Sequence, residues 1–313
     1  MYKSELHTRR SLLKSTVGLA AGAVIAGKDM SRAAAQTPSG LPTVKLGKYE
    51  VTRLILGSNP FNGYCYALPS LSEHMKEWST PENVCKTLQS CRKNGINTWQ
   101  FSYREPAMAT LQRYQAEGGD IRWILLGGGT MKDDLSLIPR TAKLGPIGIV
   151  HHGGVTDERF RNGQMSKVQE FLARVRDSGV LVGLSTHRPE VVEYAEERNW
   201  DIDFYMTCFY KFSRTEDELR KMLAELPLGY VFLEKDPERM CRVIRQTKKT
   251  CLAFKILAAG RMADTPERLE RAFRFAFANI KPQDAVIVGM YPRFKDEVRE
   301  NAEIARRVMT LSS

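Results

Sequence analysis

Residues 178–190 read Ser178-Gly179-Val180-Leu181-Val182-Gly183-Leu184-Ser185-Thr186-His187-Arg188-Pro189-Glu190, and this stretch decides the architecture. Gly179 stops the helix before it, because glycine accepts the left-handed backbone of a helix end. Leu181 to Ser185 is a short apolar run suited to a strand buried on both faces. Ser185-Thr186-His187 gives that strand a polar end. Arg188-Pro189-Glu190 then opens a helix, with proline where its fixed φ is preorganised and its missing N–H is not needed.

The same unit repeats along the chain. Apolar runs recur at Leu54–Ser58, Asn97–Ser102, Trp123–Gly127, Ile147–His151, Leu181–Ser185, Phe204–Cys208, Cys251–Ile256 and Ala285–Gly289. Helical patterns follow them: Thr80-Pro81-Glu82 to Gly95, Glu105–Glu117, a shorter stretch around Asp134–Lys143, and Ser166–Ser178. Further helices open at Arg188-Pro189-Glu190, Asp236-Pro237-Glu238, Thr265-Pro266-Glu267 and Pro292, the last ending near Met309. Eight strand–helix units predict an α/β protein with a (β/α)8 TIM barrel. No Gly-x-Gly-x-x-Gly opens the first unit, which argues against a doubly wound dinucleotide fold. Thr43–Leu46 and Glu50–Arg53, joined across Gly47-Lys48, predict an N-terminal β-hairpin. Long loops after strands one (Pro60 to Ser79) and six (Lys211 to Lys235) are expected over the active face.

The chain has 313 residues, 42% hydrophobic and 27% charged, which excludes a disordered polymer, a collagen-like fibre and a disulfide-stapled mini-protein. The first 35 residues read differently from the rest. Thr8-Arg9-Arg10-Ser11-Leu12-Leu13-Lys14 precedes a soft apolar stretch and then Ala33-Ala34-Ala35. A basic head, a short apolar middle and small residues at the end make a cleavable export signal. Its paired arginines resemble the twin-arginine type, read by the twin-arginine export machinery. The expected domains are therefore a signal peptide over 1–35 and a barrel over 36–313. The expected location is periplasmic or otherwise extracytoplasmic, without stable membrane insertion once the signal is cleaved. The net charge is +11; residues 1–35 carry six basic and two acidic groups, so +7 remains. No Lys/Arg block interleaved with aromatics appears, so no nucleic-acid partner is expected. The six cysteines show no Cys-x-x-Cys pair and read as buried thiols.

In a barrel the reacting groups lie at the C-terminal strand ends. His151, His152 and His187 all fall there, and histidine can move protons near neutrality. His151 and His152 are adjacent on a strand and diverge, and no metal-ligand spacing is present, so no metal is expected. Lys255, inside Leu252–Leu257, must reach solvent, an anion or a carboxylate, because burying it unpaired is costly. Asn59 and Gln100, at the ends of strands one and two, are the expected substrate contacts. Arg293 and Lys295 are expected in the first turn of the last helix, a place for phosphate.

An ordered set of segments resembles the aldo-keto reductase superfamily over most of residues 43–309. These are Val51-Thr52-Arg53-Leu54-Ile55-Leu56-Gly57-Ser58-Asn59, Gly95-Ile96-Asn97-Thr98-Trp99-Gln100-Phe101-Ser102, Val182-Gly183-Leu184-Ser185, Leu257-Ala258-Ala259-Gly260-Arg261, and Val288-Gly289-Met290 with Glu300-Asn301. The resemblance implies a barrel that binds NADP(H) without a Rossmann fold. It implies a nicotinamide stacked on Phe209 or Tyr210, a carboxamide held by Ser185, and phosphates against Lys255, Gly260, Arg261, Arg293, Lys295 and Asn301. The family's catalytic tetrad is largely lost: Gln100 stands at the Asp position, Glu105 near the Tyr position with Tyr103 close by, and Gly127-Gly128 at the Lys position. Only the His is kept, as His151 or His152.

The function expected is an oxidoreductase acting on a carbonyl or hydroxyl of a small, sugar-like substrate, with Tyr103 and His152 handling the proton. Two alternatives stand beside it. One is a cofactor-free lyase or isomerase using His151, His152, His187 and Lys255. The other is a binding barrel without catalysis.

Overall fold

The structure, a computed structural model, describes residues 40–311. The expected export signal over 1–35 lies outside them.

The chain opens with β1 (Thr43–Leu46) and β2 (Tyr49–Thr52), an antiparallel pair in which Leu46 faces Tyr49 across the turn. Eight strands follow: β3 (Leu54–Gly57), β4 (Thr98–Ser102), β5 (Arg122–Gly127), β6 (Gly148–His151), β7 (Leu181–Thr186), β8 (Phe204–Cys208), β9 (Thr250–Phe254) and β10 (Ala285–Gly289). All are parallel, and β10 pairs with β3 through Ile287–Ile55 and Gly289–Gly57, so the sheet closes into a barrel. The expected (β/α)8 TIM barrel with its N-terminal hairpin is present.

The helices are α1 (Pro69–Trp78), α2 (Pro81–Lys93), α3 (Glu105–Ala116), α4 (Leu137–Ala142), α5 (Gly153–Arg161), α6 (Met165–Asp177), α7 (Pro189–Glu197), α8 (Glu216–Leu223), α9 (Asp236–Gln246), α10 (Pro266–Asn279) and α11 (Glu297–Thr310). Local chemistry sets their starts. Thr80 and Thr265 accept hydrogen bonds from Asn83 and Arg268 ahead of a proline, and Thr215 with Glu218 closes a capping box.

Three helices lie where the sequence suggested loop or nothing: α1 and α8 inside the two long rim loops, and α5 directly after His152. The last helix also starts later than Pro292. Asp296 accepts from the Arg299 N–H and caps it, so Arg293 and Lys295 precede the helix rather than forming its first turn.

Two apolar layers follow from strand alternation. Ile55, Ile124, Val150, Phe204, Met206, Leu252 and Ile287 point inward and cluster with Val44, Leu46 and Val51 of the hairpin, which floors the barrel at its N-terminal end. Leu54, Trp99, Phe101, Ile149, Val182, Tyr205 and Val286 point outward into the helix layer. Among the described residues no helix is long and apolar enough to cross a membrane.

Candidate active site

The inward alternation continues past the core and places Gln100, Ser185 and Cys208 in the mouth, opposite the hairpin floor. His187 follows β7 there. Its Nδ1 lies 2.8 Å from Oδ2 of Asp157, a fully buried carboxylate on α5. Asp157 also accepts from the Thr186 hydroxyl at 2.5 Å and from the His187 backbone N–H. Burial pushes against ionisation of Asp157, but the hydrogen bonds from His187 and Thr186 outweigh it and hold the carboxyl below its usual range. Burial lowers His187 despite this carboxylate, so the imidazole is neutral near neutral pH. With Nδ1–H given to Asp157, Nε2 is left as the proton acceptor.

His152 is the second imidazole of the mouth. Its ring packs over the glycine surface of Gly128 and Gly154, where added methyl groups would lie 3.0 and 3.4 Å from it. Its Nδ1 is buried without a partner. Burial, followed by the charges of His187 and Lys255, pushes it down to about 4.

Lys255 stands at the end of β9 with φ +58, one residue beyond the last strand position. Its Nζ lies 3.1 Å from the Tyr66 hydroxyl, and 4.3, 4.8 and 5.3 Å from the ring centres of Tyr66, Phe212 and Phe254. Burial lowers its affinity for a proton, and among the described residues the Cys208 thiol and the Tyr230 phenol oppose this. Tyr66 also has positive φ, and its carbonyl accepts from Arg261 at 2.7 Å. Arg261 stacks on Phe232. The loop after β3 is thus pinned across the mouth to the loop after β8.

A cavity of about 570 Å³ runs from Gln100 and Lys255 outward over β9, β10 and α11. Asn59, Gly260, Arg261, Lys295 and Asn301 also line it. Asn301 is 3% exposed, and its Oδ1 has no hydrogen-bond partner. Lys295 is paired with Glu300 at 2.7 Å. A second cavity of about 380 Å³ reaches His187 and Cys208 from between α7, α8 and α9, and several of its cations are bound to Glu190, Glu218 and Asp236.

Several expected site residues fall elsewhere. His151 points into the helix layer, since it is out of phase with Val150. There it pairs with Thr156 and Arg159 at 2.7 and 3.0 Å and packs edge-on against Phe171. Tyr103 packs against the helix-side core and does not line the cavity. Phe209 is turned away from the mouth against Phe275, and Tyr210 lies against Phe232, so neither offers a free ring face there. Arg293 stacks on Phe294 outside the cavity wall. Ser185 is in the mouth, 2.9 Å from where a Gly153 methyl would be, but it lies away from the large cavity. Asp157 and Tyr66 had no local signal, because each is known by a partner distant in sequence. Among the described residues no group of three or more His, Cys, Asp or Glu converges as a metal site.

No known family model matches the chain, and no curated protein matches it. Solved structures do. An aldo-keto reductase assignment from Pseudomonas aeruginosa superposes with TM-score 0.57 at 17% identity, over 88% of this chain and 99% of that one. A variant of Gox0644 in complex with NADPH gives 0.52 at 12% identity, over 85% and 88%. The glycerol dehydrogenase AKR11B4 from Gluconobacter oxydans gives 0.50 at 11%, over 86% and 94%. The chain shares the barrel fold of these structures; at these identities the likeness is one of fold alone.

Proposed function

We propose that this barrel is an oxidoreductase that holds NADP(H) in the large cavity and acts on a carbonyl or hydroxyl of a small polar substrate in the mouth. The observation that carries this reading is the pair of ligand-ready groups in one continuous cavity. Among the described residues Arg261 has no carboxylate partner, and the Asn301 amide oxygen is buried and has no hydrogen-bond partner. Such an oxygen costs stability unless a ligand donor meets it. Arg261 and Lys255 would meet phosphate oxygens, and Asn301 an amino or hydroxyl donor. The nicotinamide cofactor supplies hydride transfer when bound.

The chain's own residues orient substrate through Gln100 and Asn59, exclude water with the Tyr66 loop, and move a proton at His187 Nε2. Asp157 fixes the tautomer that makes this possible. His187 takes the place expected of Tyr103 beside His152, since Tyr103 packs with the helix-side core. The test is titration of NADPH fluorescence with the purified chain. Saturable enhancement or quenching, weakened roughly 10- to 100-fold by Arg261→Ala, is the result that a lost charge-assisted contact predicts. No saturable change up to millimolar nucleotide removes the reading.

A second reading is favoured by the Asp157–His187 pair and the secluded Lys255: a cofactor-free lyase or isomerase in which the same imidazole removes a proton beside a carbonyl. Either enzyme would work outside the cytoplasm; Arg9-Arg10 and the small residues up to Ala35 support export. An Arg9→Lys/Arg10→Lys double variant that still reaches the periplasm counts against twin-arginine passage.

A further inference from the structure

We propose that Lys255 is a carbonyl-condensing amine, which forms an imine with a small aldehyde or hydroxy-ketone entering the mouth. This rests on the second reading above and needs no nucleotide.

The geometry is that of a half-buried amine at the cavity wall, with no counter-ion among the described residues. Three aromatic rings surround Nζ, and among the described residues its one polar contact is the Tyr66 hydroxyl at 3.1 Å. The residue facing Nζ from the β3 loop is Tyr66, and from the β8 loop Phe212; Cys208, Tyr230, His152 and His187 are the titratable groups whose charges reach it. No carboxylate among the described residues forms an ion pair with it, so ring faces and one phenol oxygen are what the ammonium form has in place of a counter-ion. An apolar box of this kind favours the neutral, nucleophilic amine. Both Tyr66 and Lys255 hold left-handed backbone conformations, a strain that the surrounding structure must impose. It brings the phenol and the amine together from positions distant in the chain, beside a cavity wide enough for a substrate.

The step balances without an oxidant. The amine lone pair attacks the carbonyl carbon, a C–N bond forms, and the C=O π pair moves to oxygen, which takes the Tyr66 phenol proton. Nitrogen returns a proton to the phenolate. The proton still on nitrogen passes to His187 Nε2 and from there to the hydroxyl, which leaves as water, so that His187 ends neutral. One amine and one carbonyl give one imine and one water. The imine then draws electrons from the adjacent carbon, where His187 Nε2 can act as base.

The test is reductive trapping on the full chain near neutral pH. Formaldehyde serves as the smallest carbonyl and dihydroxyacetone as a substrate-sized one, each with cyanoborohydride, with adducts mapped by peptide mass spectrometry. Lys255 is expected to label several-fold faster than the exposed Lys45 and Lys167, because desolvation leaves more of its amine in the neutral, nucleophilic form. Tyr66→Phe should slow that labelling, and Lys255→Met should abolish this one adduct while the surface lysines still react. If Lys255 labels no faster than Lys45 with formaldehyde, the proposal is overturned, whether or not Lys255→Met folds. NADPH binding without preferential trapping leaves the nucleotide reading and removes the imine. Preferential trapping without NADPH binding does the reverse.

Discussion

A methyl group added at Gly153 would lie 2.9 Å from Ser185 Oγ and 3.1 Å from His187 Cε1. Neither atom ends a long flexible chain, and His187 is tied to Asp157. Gly153→Ala is therefore expected to rotate the imidazole away from the carboxylate, at an overpacking cost of about 1–3 kcal/mol. The check is the His187 Nδ1 proton resonance, which the Asp157 bond should shift downfield in the parent and which should be lost or moved upfield in the variant. An unchanged resonance would mean that the backbone yields instead. The neighbouring pair His151 and His152 gives a second prediction. Removing His151 takes one partner each from Thr156 and Arg159, so His151→Ala should cost about 1–3 kcal/mol more in urea unfolding than His152→Ala, whose Nδ1 has no partner to lose. Conversely, ligand binding in the mouth should respond to His152→Ala and not to His151→Ala. This division was within reach of the sequence: Val150 faces inward with Ile124 and Phe204, so His151 must face outward and His152 inward. The same count along Phe204, Met206 and Cys208 turns Phe209 out of the mouth. What no count could supply is Tyr66 against Lys255, because contact across 189 positions leaves no trace in local spacing.

Strands were legible as elements because each is a short apolar run bounded by glycine, proline or a polar rim. Helices that begin with a proline and a capping residue were legible too. The three unexpected helices lack that punctuation or sit inside loops. The segment after His152 opens on Gly153-Gly154, residues that normally end helices, and has no side-chain cap. It is nevertheless held by Asp157 bonding back to β7, a tertiary contact that overrides propensity. For α11, Pro292 promised a start that Asp296 provides, since the intervening residues serve the rim. The hairpin is the element whose role is most open to test. Leu46 is 2% exposed and packs among the inward side chains of the barrel. Leu46→Ala should therefore destabilise the whole barrel by roughly 2–5 kcal/mol, as a core truncation does, and not merely fray the N-terminus. Urea unfolding followed by tryptophan fluorescence should show one transition at lower urea. A separate early transition would assign the hairpin to an independent unit.

Burying imidazoles gives the whole molecule an acid limit. Burial pushes His151 down to about 3 and His152 to about 4, and it lowers His187 as well, whereas in the unfolded chain such groups titrate near 6.5. Below about 6.5 the unfolded state therefore binds protons that the native state refuses, and stability must fall with pH. Above that value both states hold neutral imidazoles and the contribution is flat. Each histidine withdraws about 1.4 kcal/mol per pH unit within its window, until the native pKa is reached. Glu218, held down to about 2 by Arg188 and backbone contacts that overcome its desolvation, adds a further loss only at lower pH. Asp284 and Glu297, raised by burial, act in the opposite direction, because the native state takes up their protons first. Between pH 6.5 and 4.5 the histidines dominate, since their depression spans that whole window. Urea midpoints measured across it should drop steadily, and His151→Gln should make the slope shallower by one proton's worth. A flat profile would mean that acidification hydrates both the mouth and the His151 site and admits protons to all three imidazoles. In that case the dry setting required for a neutral Lys255 would be lost along with the acid limit.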